Sequence, residues 1–308
     1  MADFNFLSAA RVKATQIQED TKSYLSRVYG RANNLFTSAS PFAQMVKVAS
    51  ELTEMIMYYV EDATVEQNIL TAQQPESIYG LAALTGHNAT RGFSAMGEIE
   101  IAWQPGQQDT IAGETLYISS NTVIKSQNNG LKYLLRSSDD IIPLLKSERN
   151  FIRIPIIQGE VQRQSLTGTG EPFQTFNVQT GGATAHDKVY VSVNGEQWTV
   201  YNSLYDMNAT TRGVVIRTGV TGGIDLFFGN GNFGMMPNLG AFILVEYIKT
   251  GGSAGNLGDA PDITFEFETA GFDSIGNEYN LNNLIEVRVT SAPKMGADPE
   301  SIEFTKLI

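Results

Sequence analysis

The chain has 308 residues, 42% hydrophobic and 18% charged, with a formal net charge of −12 at pH 7 and no cysteine. Enough apolar material is present to bury real cores, which excludes global disorder, and the lack of cysteine excludes disulfides, thiolate metal sites and cysteine nucleophiles. The acidic balance, with no run of Lys or Arg, argues against nucleic-acid binding, whose affinity comes largely from neutralising phosphates. No basic stretch leads into an apolar one at the N-terminus, and no window reaches about 18 continuous apolar residues, so neither a signal peptide nor a membrane-spanning helix is expected.

Residues 1–92 read as a helical domain. Phe6, Leu7, Ala10, Ala14, Ile17, Leu25, Val28 and Tyr29 form a loose helical stripe. A second helix is clearer: Ser40 can cap it, Pro41 suits its first position, and Phe42, Met45, Val46, Ala49, Leu52, Met55, Ile56 and Tyr59 recur every three or four residues. Met57, Tyr58 and Val60 widen the apolar arc, so this helix is expected to be buried by more than one neighbour. Leu52, Met55, Ile56 and Tyr59 are the candidate interface residues. Thr64-Val-Glu-Gln67 fits a capping box and predicts a new helix there. Pro75 opens a further helix over 76–84, which Gly86 ends by supplying the left-handed position.

Residues 93–255 read as a β-rich middle domain. Alternation over 98–103 and the runs 115–119 and 151–157 predict strands, with Pro155 placing the last at an edge or bulge. Val189–Val193, Asn194-Gly195 and Glu196–Val200 predict a type I′ hairpin, because both turn residues need positive φ. Strands over 214–217, 224–228 and 242–248 follow, and Gly251-Gly-Ser-Ala-Gly255 reads as a flexible break. Residues 256–308 read as the start of a further C-terminal α+β segment. The expected class is therefore α+β, with a helical domain followed by a mainly antiparallel β-rich one.

Little in the chain carries chemistry. His87 and His186 are the only histidines; His186 stands beside Asp187 in an expected polar loop, with no nucleophile signature and too few ligands for zinc. Gly229-Asn-Gly231-Asn-Phe-Gly234 is a literal Gly-x-Gly-x-x-Gly after a strand. A dinucleotide site also needs a helix N-terminus next, and here Met235-Met-Pro237-Asn-Leu-Gly240 runs into another strand. Gly229, Gly231 and Gly234 are expected to bend a connection between adjacent strands. The acid clusters at Asp139-Asp140 and at Glu266 and Glu268 lack EF-hand spacing. No catalytic residue, cofactor, metal or small-molecule substrate is expected.

One ordered string of residues resembles a known family. Val191-Ser-Val-Asn-Gly-Glu-Gln-Trp198 precedes Ser203-Leu-Tyr205, Phe228-Gly-Asn-Gly231 with Gly234, Pro237 and Gly240, Val245-Glu-Tyr247, Gly251-Gly-Ser-Ala-Gly-Asn256 and Gly296-Ala-Asp-Pro-Glu-Ser301. Upstream, Glu76-Ser77 and Leu81–Gly86 fit as well. Together they resemble the baseplate J-like family, the baseplate wedge subunits of contractile phage tails. The family often has aspartate where Asn230 stands. The resemblance implies a virion structural protein of the tail baseplate, assembled in the host cytoplasm. Its implied partners are other copies of itself and other wedge, hub and tail proteins, with no nucleic acid and no membrane. It also implies a role in coupling baseplate rearrangement to sheath contraction, and no catalytic residues.

Relatives continue past the last motif, whereas this chain stops at Ile308, soon after a helix start at Asp298-Pro299, so a truncated product or incomplete chain is expected. Tailocins and contractile secretion systems use equivalent wedges. A carbohydrate- or receptor-binding β module is the alternative from another class, and Trp198 in the hairpin is expected to pack there rather than to serve as a sugar platform.

Overall fold

The computed structural model describes residues 13–29, 40–147, 150–219, 223–258 and 263–307; the expected contributions of Phe6, Leu7 and Ala10 lie outside them. The described helices are α1 (Ala14–Tyr29), α2 (Pro41–Glu66) and α3 (Pro75–Leu84), with a short α4 (Ile302–Thr305) near the end. Between them the described strands are β1 (Met96–Trp103), β2 (Thr115–Ser119), β3 (Val123–Ser126), β4 (Lys132–Leu135), β5 (Ile141–Leu145), β6 (Ile152–Gln158), β7 (Glu160–Thr167), β8 (Thr175–Val178) and β9 (Thr184–Val193). They continue as β10 (Glu196–Tyr201), β11 (Gly213–Thr218), β12 (Ile224–Phe228), β13 (Phe242–Lys249), β14 (Phe265–Phe267), β15 (Gly271–Asp273), β16 (Glu278–Tyr279) and β17 (Ile285–Lys294). The fold is α+β with a β-rich majority.

Two compact units result: residues 1–87 with 302–308, and residues 88–301. In the helical unit α1 packs on α2, and α4 meets α3. Pro41 and Pro75 both start helices as expected, although Ser40 makes no side-chain cap bond. The predicted break at Thr64 does not occur. The Thr64 hydroxyl donates to Val60 O at 2.7 Å, back-bonding inside a continuous α2. The start of α3 is served instead by the Glu66 carboxylate, which accepts from Gln73 N at 2.9 Å and from Gln74 N at 3.2 Å. These bonds hold the Glu66 carboxyl below its ordinary value, the Gln73 amide contributing most. Gly86, at φ 88°, ends α3, and the N–H groups of Gly86 and His87 return to Ala83 O and Ala82 O.

The β-rich unit holds three sheets, ordered β14-β3-β4-β6-β1-β17, β7-β13-β9-β10-β11-β12-β8 and β16-β15-β2-β5. Pairing is antiparallel except for β10 with β11. The six- and four-stranded sheets share one core, in which Ile99, Ile101, Leu116, Ile118, Tyr133 and Leu144 are fully buried. The seven-stranded sheet has its own core around Val191, Trp198, Leu226, Phe228, Ile243 and Val245. A small cluster of Leu134, Ile157, Ala185 and Ile248 joins β4 and β6 of one sheet to β9 and β13 of the other.

The structure departs from three further expectations. The division at 255/256 fails because β14, β15, β16 and β17 complete sheets begun by residues 96–145; β17 alone pairs with β1 from Trp103↔Ile285 to Met96↔Lys294. Pro155 lies in an interior strand rather than at an edge. Its carbonyl accepts from Arg136 N at 2.8 Å, just past the end of β4, so its missing N–H faces a place where no ladder bond is needed. The stretch 251–255 is no flexible break: it forms a 3₁₀ turn with Gly252 and Gly255 buried.

The hairpin is as predicted, with Asn194 at φ 52° and Gly195 at φ 84° between β9 and β10. Asn194 also does something the sequence did not signal. Its N–H donates to Phe242 O at 2.8 Å and its Oδ1 accepts from Phe242 N at 2.9 Å, which pins the start of β13 beside β9.

Candidate interaction surface on the long helix

Helix α2 runs for 26 residues, about 39 Å at the usual rise. Its only buried residue is Ser50. Ser50 lies on the side that meets α1, where Ala43 and Val46 are half-buried and Ala14 N–H donates to Glu54 Oε2 at 2.9 Å. The four candidate interface residues lie elsewhere on the helix. Leu52, Met55, Ile56 and Tyr59 are 50%, 49%, 58% and 63% exposed, and Met45, Val48 and Val60 extend the same arc at 71%, 55% and 56%. At about 100° per residue the arc centres roughly 170° round the helix from the α1 side, almost opposite it. The apolar arc was legible in the sequence, but its expected burial by several neighbours is not what the described residues supply. A row of large apolar side chains left in water on one face is the usual mark of a surface that meets a partner.

The glycine motif forms a closed loop of backbone. Gly231 N donates to Gly234 O at 2.9 Å, and Asn230 Oδ1 accepts from Asn232 N at 3.0 Å and Phe233 N at 2.9 Å. A Cβ on Gly229 would run into Phe233 O and Gly234 O, while Gly231 and Gly234 take φ of 88° and 79°. Three of the loop's amides thus bond within it, Gly234 N donates outward to Asn208 O at 3.1 Å, and β13 follows with no intervening helix. The expectation that it joins adjacent strands is wrong: β9, β10 and β11 stand between β12 and β13.

His186 lies within β9, not in a loop, and Asp187 points away from it, as neighbours in a strand must. Asp187 pairs with Lys188 at 2.7 Å. The His186 ring instead faces Phe93 and, at 3.4 Å, the amide of Arg91; burial, then the nearby Arg91 charge, hold its pKa below the ordinary value. Arg91 is 2% exposed, donates one bond to His186 O at 2.8 Å, and is pushed down to about 10 by burial. Its Nε and Nη1 have no partner among the described residues. Trp198 is 5% exposed and packs edge-to-face on Phe228, so it is a core residue of the hairpin as expected. A feature that sequence periodicity could not find is the exposed pair Tyr205 and Phe233, whose rings meet edge-to-face with centroids 5.5 Å apart across two loops.

Among the described residues, no group of three or more His, Asp or Glu is placed to hold a metal ion, and no helix is long and apolar enough to cross a membrane. No family model matches the chain, and no curated protein matches it.

Proposed function

We propose that this chain is a structural baseplate wedge subunit of a contractile tail, or its equivalent in a tailocin or contractile secretion system, and that it acts by assembly rather than by catalysis. The observation that carries the assembly role is the exposed apolar arc of α2, centred on Leu52, Met55, Ile56 and Tyr59 and turned away from α1. The ordered residues from Glu76 to Ser301 that resemble the baseplate J-like family support the narrower identity. In this reading the partners are other copies of the chain and other wedge, hub and tail proteins, and the helix face is where one of them binds.

Leu52→Asp or Ile56→Asp tests it. Either change leaves the isolated fold intact, because both side chains are in water, but puts an unpaired charge into any interface formed there. Incorporation into particles is expected to be lost while far-UV circular dichroism is unchanged. Particles assembled normally from the variant would remove α2 as the interface.

A second reading, a carbohydrate- or receptor-binding module, draws on the exposed Tyr205–Phe233 pair, since an aromatic face in water suits a sugar ring. Binding to a glycan array that is lost in Tyr205→Ala would favour it.

A further inference from the structure

Resting on the assembly reading, we infer that the face of α2 pairs with the same face of a second copy of this chain, the two helices running antiparallel.

Spacing along the face is the first argument. Met45, Ala49, Leu52, Ile56, Tyr59 and Ala63 follow one another at intervals of four, three, four, three and four residues. That is the alternation of a left-handed coiled-coil seam, in which each side chain enters a gap between four on the facing helix. The seam is open among the described residues, since α1 takes the far side of α2.

Size is the second. Eight large apolar side chains of the arc, from Phe42 to Val60, are each 40–71% exposed. At about 100 Å² apiece they offer about 800 Å², the share one partner gives to a standard-size stable interface.

Side-chain volume and charge set the direction. In an antiparallel pair centred between Leu52 and Ile56, Leu52 meets Ile56 of the second copy, Ala49 meets its Tyr59, and Met45 meets its Ala63. Each large residue of the last two pairs then faces an alanine. A parallel pair would set tyrosine on tyrosine and alanine on alanine, leaving crowding and gaps by turns. The charges agree. Helix α2 carries one cation, Lys47, near its start, and Glu61, Asp62 and Glu66 at its end, where the helix dipole is already negative. Parallel helices would bring two such ends together. Antiparallel helices separate them.

The full chain tests this directly, helped by its lack of cysteine. Light scattering during gel filtration over the micromolar range is expected to show a dimer. Leu52→Asp is expected to raise its dissociation constant at least about 100-fold with unchanged circular dichroism. A mixture of the A49C and Y59C variants is expected to form a disulfide-linked pair under mild oxidation, and neither variant is expected to link to itself. Self-linking of either variant would overturn the antiparallel arrangement. A monomer at every concentration would overturn self-pairing. The particle test then separates the two ideas: if Leu52→Asp still blocks incorporation, the face serves a different protein and the assembly reading stands; if it does not, both fall.

Discussion

Gln158 is expected to hold the two large sheets of the β-rich unit in place through a single side chain. It ends β6, is 4% exposed, and its Oε1 accepts from Thr250 Oγ1 and from Gly251 N, both at 2.8 Å. Gly255 packs against it so closely that a Cβ there would come within 2.8 Å of Gln158 Cγ. Replacing Gln158 with Met keeps most of the volume and removes the acceptor. Two donors then lose their partner, one of them on Thr250, which is 7% exposed. At about 1 kcal/mol for each bond the expected loss is about 2 kcal/mol. Gln158→Ala also empties the space of the deleted atoms, which brings the loss to about 3 kcal/mol or slightly more. Urea unfolding followed by tryptophan fluorescence reads both. With a slope of about 3 kcal/mol per molar, the alanine variant's midpoint falls by about 1 M and the slope stays the same. A methionine variant within about 0.5 kcal/mol of the parent would refute the reasoning, since the turn at 251–255 would then be held by something other than the amide.

Gly229→Ala pushes a methyl group into the carbonyls of Phe233 and Gly234, and is expected to cost about 3 kcal/mol or to abolish folding of the seven-stranded sheet; a thermal midpoint equal to the parent's would show that the loop opens freely. Asp273, 3% exposed, is pulled two ways: burial would raise its pKa, but bonds from the Asn277 amide and side chain, Ile275 N and Gly113 N override this and hold it well below the carboxylate range. A depressed folded pKa gives stability that is present above the unfolded value, about 4, and is lost as pH falls from there towards the folded one. Thermal midpoints from about pH 6 to about pH 2 should therefore fall less steeply in Asp273→Asn than in the parent; parallel curves would deny the carboxylate that role.

What could be read before the structure was whatever lies within a few residues. The strands over 115–119 and 224–228, the turn at Asn194-Gly195 and the glycine end of α3 are local, because a period of two or a positive φ is written into neighbouring residues. Partnership between distant segments is not. Nothing near Ile285 says that β17 lies beside β1, and nothing near Gly251 says that Gln158 waits to accept its amide. Asp298 shows the same limit. It fits a helix cap in sequence, but its carboxylate accepts from Ser253 N at 2.9 Å and Ser253 Oγ at 2.6 Å, and α4 begins only at Ile302. For the candidate surface, the residue types of α2 were legible and the side taken by α1 was not, since apolar residues on every face leave the choice to packing.

Strands β6 and β7 are separated by Gly159 alone, at φ 139°, yet they belong to different sheets. A Cβ there would crowd Ile248 and the Lys249 carbonyl, so the crossing point is tight as well as short. The backbone therefore passes from one sheet to the other with no slack to take up. Tension applied to one is delivered to the other through covalent bonds, before any side-chain contact has to yield. The two sheets have separate cores, and at this crossing neither can be displaced far without the other registering it.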